Sequence, residues 1–213
     1  MGARTATAAT REAPSTRDVI LDAGERCFAD RGFAGVSMRE IAAAAGLKNQ
    51  ASLYHHFRDK RDLYEAVLER GVAPIVALVA EGATGPRGGT VDTVLDPLLG
   101  YLEEHPHLPR LIQRAGLDDA RHLRSTLVRF LGPLYAQGVR ALAGSGRWEQ
   151  ADLPHVAAGL YHLIFGYFAS AALFELVTAQ DLRRPAAVAR QRRFLKAAVA
   201  QLLDGLPHRR SHP

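Results

Sequence analysis

Apolar residues recur at intervals of three and four along the chain, and no stretch alternates at intervals of two, so the pattern predicts an all-α protein. The first predicted helix covers 15–31. Ser15 and Asp18 form a start like a capping box behind Pro14, Ile20, Ala23, Cys27 and Phe28 share one face, and Gly32 ends the helix. Ser37-Met38-Arg39-Glu40 is a second capping box and opens a short helix through Ile41, Ala44 and Ala45, closed by Gly46. Leu47 follows as a buried staple, and another short helix runs through Leu53 and Phe57. Asp59 caps a long helix from Lys60 that turns Leu63, Tyr64, Val67 and Leu68 inward, with a kink expected at Pro74.

Residues 82–90 (GATGPRGGT) read as a linker. A phosphate-binding loop is excluded because no Gly-Lys-Ser/Thr follows and no strand precedes. Further helices are expected at 90–105, 107–116, 118–143, 153–179 and 185–205. Pro106, Gly116-Leu117-Asp118, the 144–148 loop and Pro185 at a first-turn position separate them. The organisation is then a flexible arm (1–13), a three-helix head containing a helix-turn-helix (14–60), a larger helical ligand-binding and dimerisation domain (61–206) and a flexible tail (207–213).

Composition narrows this picture. With 213 residues, 47% hydrophobic and 23% charged, the chain is an ordinary globular sequence and neither disordered nor collagen-like. The lone Cys27 excludes an internal disulfide framework and reads as a core residue of its helix stripe. Residues 1–14 have no apolar centre, which argues against a secretory signal, and the single thiol is compatible with the reducing cytoplasm in which the protein is expected. The net charge of +5 permits an anionic partner without naming one. Its distribution is uneven: residues 183–213 hold eight Arg or Lys against Asp204 alone, whereas the first 64 hold ten against eight acids.

Local pattern says more than bulk charge. Two short helices joined through Ala45-Gly46-Leu47 match a helix-turn-helix, whose second helix enters the DNA major groove. That helix carries Lys48, Asn49, Gln50, Ser52, Tyr54 and His55: amides, hydroxyls and positive charge, with no acid. Such groups suit base edges and phosphates. They equally suit the solvated face of a small helix pair, and composition alone does not separate the two.

The runs Ala29-Asp30-Arg31-Gly32-Phe33-Ala34-Gly35-Val36-Ser37-Met38-Arg39-Glu40-Ile41-Ala42, Ala45-Gly46-Leu47, Leu53-Tyr54-His55-His56-Phe57-Arg58-Asp59-Lys60 and Leu63-Tyr64-Glu65-Ala66-Val67-Leu68 stand in order along the head. Together they resemble the tetracycline-repressor (TetR) family of bacterial transcriptional regulators over about residues 15–70. One departure stands out. Six residues separate Gly46 from Leu53, one more than the usual family spacing, so the recognition helix either starts a residue late or carries an extended first turn.

The resemblance implies a sequence-specific DNA-binding regulator, a repressor released from a near-palindromic operator by a small, largely apolar effector. It implies that Ser37 holds a phosphate at a helix N-terminus and that Arg39 contacts phosphate or a base. By the same resemblance Tyr54 and His55 contact phosphates and Lys60 clamps the backbone. Gln50, Ser52, Lys48 and Asn49 are candidates for reading bases, and His56 and Phe57 for packing. A homodimer built by the last long helices, the usual arrangement in that family, is expected, with Gly159, Gly166 and Ser170 on a small-residue stripe and Leu195 and Leu202 on an apolar one at the interface.

The basic residues Arg190, Arg192, Arg193 and Lys196 are expected on the solvated outer face of that last helix. Gln113, Arg114, His122, Phe130, Tyr135, Tyr161, His162 and Phe165 are candidates for the effector pocket, each also readable as core. No cofactor is expected, and the nine histidines show no metal-ligand spacing. Residues 156–174 lack formal charge but hold hydroxyls, His162 and glycines, and read as a helix buried on both sides rather than a membrane span. The alternative is a helical small-molecule-binding protein or enzyme whose head no longer binds DNA. No catalytic constellation in the sequence supports it.

Overall fold

A computed structural model describes residues 14–84, 90–118, 124–144, 148–182 and 184–204. The predicted arm and tail, most of the 82–90 linker and His122 lie outside those residues. Every regular element among them is helical: α1 Thr16–Arg31, α2 Met38–Ala44, α3 Ala51–Tyr54, α4 Lys60–Thr84, α5 Val91–Glu104, α6 Leu108–Asp118, α7 Arg124–Gly144, α8 Leu153–Ala169, α9 Ala171–Thr178 and α10 Pro185–Asp204.

The starts follow the predicted caps. The Ser15 hydroxyl accepts the Asp18 N–H at 3.2 Å, and α1 ends where Gly32 turns to φ +72° with its N–H on the Phe28 carbonyl. Asp59 Oδ1 accepts the Asp62 N–H at 2.8 Å at the start of α4. Inward faces of α1 and α4 meet in an aromatic group: Phe28 lies edge-on to Tyr64 at 4.9 Å, and Phe33 to Tyr64 at 5.2 Å. One continuous apolar core runs from Ile20 and Phe28 through Leu63 and Leu68 to Leu102, Ile112 and Leu195, joining head and body.

Helix α4 is the shared beam, packing on α1, α5 and α7. It crosses α5 so closely that a Cβ at Gly82 would lie 2.7 Å from the Thr93 carbonyl oxygen, which only glycine tolerates. Near its head end a polar junction ties it to α7. Arg61 donates to Ser125 and Thr126, each at 3.3 Å, and the fully buried Thr126 hydroxyl donates to Glu65 at 2.8 Å.

Two expectations about the helices change. The helix expected at 153–179 is two helices bent by 60° at Ser170, whose backbone sits at φ −94°, ψ 0°. The apolar pattern runs unbroken through that residue, so nothing in it marked the break. The third short helix is a single turn ending at Tyr54, leaving Phe57 buried in the following loop.

The basic face of α10 is not simply solvated. Arg192 reaches Glu103 at 2.9 Å, and Lys196 reaches Asp92 at 2.8 Å and Asp96 at 2.9 Å, forming an ionic seam with α5. No single helix among the described residues is long and apolar enough to cross a membrane, although the bent pair α8–α9 has the length and composition together.

Candidate nucleic-acid interface

The turn between α2 and α3 is a Schellman motif: Leu47 N–H bonds the Ala42 carbonyl and Gly46 N–H the Ala43 carbonyl, with Gly46 at φ +69°. The next three residues resolve the spacing question. Lys48, Asn49 and Gln50 form a turn, Asn49 Oδ1 accepts the Ser52 N–H at 2.9 Å and its hydroxyl at 3.1 Å, and α3 begins at Ala51. Helix α3 therefore begins at Ala51, behind a turn closed by the Asn49 side chain. Leu53, fully buried, pins α3 from below.

An open cleft of about 600 Å³ lies between the start of α2, the exposed side of α3 and the start of α4, lined by Ser37, Met38, Arg39, Gln50, Tyr54, Asp59 and Lys60. Five of the nine predicted DNA contacts thus share one concavity. Gln50 Nε2 donates to the Tyr54 hydroxyl at 3.1 Å, so these two present a joined polar edge. Lys48, Asn49, Ser52 and His55 lie outside the lining, and Asn49 and Ser52 are engaged in the cap. His56, expected to pack, is exposed.

The α2 N-terminus already holds an anion. Glu40 Oε2 accepts the Ser37 N–H at 2.8 Å and the Ser37 hydroxyl at 2.6 Å, and Arg31 pairs with Oε1 at 2.5 Å. Bonds from Ser37 and then from Arg31 hold the Glu40 carboxyl at about 2, against an ordinary 4.5. A carboxyl depressed by folding adds stability above its unfolded value and loses it as pH falls through the folded one. Acid titration between about pH 4.5 and 2 should therefore loosen the α1–α2 corner. Glu40→Gln should remove that part of the pH dependence, read as the acid limb of stability measured by urea unfolding.

The other candidates are scattered. Gln113 and Arg114 are half-buried on α6, Phe130 and Phe165 are buried, and Tyr161 stacks on Phe165 at 5.0 Å between centroids. Burial pushes the Tyr161 hydroxyl up. Tyr135 and His162 face outward from the single chain. Of the interface candidates, Gly159 has open space beside it, Ser170 marks the bend and Leu202 is exposed, whereas a Cβ at Gly166 would meet Gln113 of its own chain at 3.5 Å.

Leu195 is a correction: it is 0% exposed within one chain, because the buried stripe of α10 is Ala187, Gln191, Leu195 and Val199. The exposed apolar side chains that sequence reasoning passed over include Leu173, Phe174, Leu176 and Val177 on α9 and Phe194 on α10. Their signal was an apolar run with only Glu175 to break it. Among the described residues no group of three or more His, Cys, Asp or Glu could hold a metal ion.

Comparison with known proteins agrees with the head. A family model described as bacterial regulatory proteins, tetR family, matches residues 20–67. The chain is 33% identical over 92 residues to the HTH-type transcriptional repressor AcnR of Corynebacterium diphtheriae, covering 43% of this chain and 44% of that one. It is 34% identical over 93 residues to the HTH-type transcriptional regulator AcrR of Shigella flexneri, covering 44% of this chain and 43% of that one. The matched segment thus spans less than half the length of these curated relatives.

The likeness in fold is longer. The fatty acid degradation regulator FadR of Bacillus halodurans superposes with a TM-score of 0.64 at 18% identity, over 93% of this chain and 100% of that one. A TetR-like transcriptional regulator from Rhodococcus sp. RHA1 gives 0.64 at 19%, over 92% and 100%. The tetR-family likeness thus covers the helix-turn-helix head, residues 20–67, and the longer likeness to these solved regulators is one of fold.

Proposed function

We propose that this protein is a homodimeric transcriptional regulator that binds a near-palindromic operator and is released by a small, largely apolar effector. The observation that carries the reading is the cleft that gathers Ser37, Arg39, Gln50 and Tyr54 on the outer face of the helix-turn-helix. Guanidinium, amide and phenol groups there match phosphate oxygens and base edges. The dimer reading is supported by the exposed apolar side chains of α9 and α10, which a second copy would cover. The effector reading is supported by the α4–α7 junction. Motion of α7 around a ligand would pull on Arg61 and Glu65, one turn into the helix that starts at the cleft.

The test is fluorescence anisotropy on the DNA upstream of the protein's own coding region, against a random duplex, across a salt series. Specific binding that weakens steeply with salt is expected. Arg39→Ala should cost about 1–3 kcal/mol if Arg39 reads a base, or lower the salt slope by about 0.9 if it holds a phosphate. Tyr54→Ala should weaken binding while leaving the dimer intact. Equal affinity of the unaltered protein for both duplexes, repeated with fragments selected from the whole genome, would sink the reading.

A further inference from the structure

Lys60 opens α4, where the positive end of the helix dipole disfavours a cation. The structure shows what offsets that cost. Its ammonium donates to the carbonyl oxygens of Phe33 at 2.9 Å and Val36 at 3.0 Å, and sits 4.4 Å from the centroid of the Phe33 ring. Two carbonyls and a ring face engage a group that has three N–H donors. All three contacts lie in the loop between α1 and α2, which ends at Ser37, the cap of α2. That loop is tight: a Cβ at Gly35 would lie 2.3 Å from the Arg31 carbonyl oxygen. The Phe33 ring in turn packs on Tyr64, one turn further along α4.

The ammonium therefore fastens the segment before α2 to the helix after α3, across the mouth of the cleft. We propose that Lys60 is a positioning residue, which sets the placement of Ser37 and Arg39 against Gln50 and Tyr54, rather than a clamp on the DNA backbone. The inference rests on the DNA-binding reading of the cleft. A phosphate clamp would leave its donors toward solvent, whereas these are turned inward onto the protein's own carbonyls.

The experiment compares Lys60→Met, which keeps most of the apolar stem, and Lys60→Arg, which keeps donors, with the unaltered full-length protein. Amide exchange is followed in the DNA-free proteins, and operator affinity is followed across a salt series well below the melting temperature. Expected for Lys60→Met is exchange at Ala34–Arg39 faster by roughly tenfold, operator affinity lower by roughly tenfold, and an unchanged salt slope, because no phosphate contact is lost. Lys60→Arg should restore most of the affinity.

A slope shallower by about 0.9 would assign Lys60 to a phosphate and overturn the proposal. Unchanged affinity in a folded Lys60→Met protein would overturn it too, as would unchanged exchange at Ala34–Arg39. The exchange measurement uses no DNA. Failure of operator binding in the unaltered protein would therefore count against the regulator reading alone, while the anchoring by Lys60 is still decided.

Discussion

A chain carrying Leu176→Glu and Val177→Glu should run as a monomer in sedimentation and lose operator affinity by about 10²–10⁴-fold, the advantage that linking two heads confers. The two side chains are 81% and 72% exposed in the single chain, so the substitution leaves that chain's own core untouched. In a two-fold interface each patch meets its own copy, and like charges are brought together with no partner. Circular dichroism should stay helical. A dimer that survives both substitutions would move the interface away from α9.

Arg70→Met should cost about 2–4 kcal/mol in urea unfolding, somewhat less than the usual 3–5 for breaking a fully buried pair, since Arg70 is itself partly exposed. Arg70 on α4 reaches Asp22 at 2.7 Å and Glu25 at 3.2 Å, both on α1. Glu25 is only 6% exposed, and removing the guanidinium takes away the cation that its carboxylate pairs with. Adding Glu25→Leu to Arg70→Met should recover most of the loss, because two apolar groups replace two charges. A cost under about 0.5 kcal/mol for the single change would show that water reaches Glu25 freely.

What was legible in advance depended on short-range chemistry. Ser15, Ser37 and Asp59 announced helix starts because capping is a contact between residues three apart, and Pro185 because its fixed φ and missing N–H suit a first turn; all four stand at helix starts in the structure. The shared concavity of Ser37, Arg39, Gln50 and Tyr54 was only partly legible. Spacing placed these residues on two helices, but which of them meet depends on the Schellman turn and on Lys60. The α10 seam was missed because its acids, Asp92, Asp96 and Glu103, lie about a hundred residues earlier on α5. A charge count along one helix cannot see them. Leu195 and Phe194 were indistinguishable as apolar neighbours, and only packing separates 0% from 57% exposure.

The capping turn before α3 has a consequence for how such a head diverges. Leu53 and Phe57 fix the recognition helix from its C-terminal side, while Asn49 closes its first turn from outside the helix. The turn between Leu47 and Ala51 is therefore the place where an added residue can be taken up outside α3 itself. The turn behaves as a length buffer for α3 and Tyr54, while Gln50, its last residue, stays tied to that helix through the Tyr54 hydroxyl. Operator preference is thereby free to change by side-chain replacement within an unchanged scaffold.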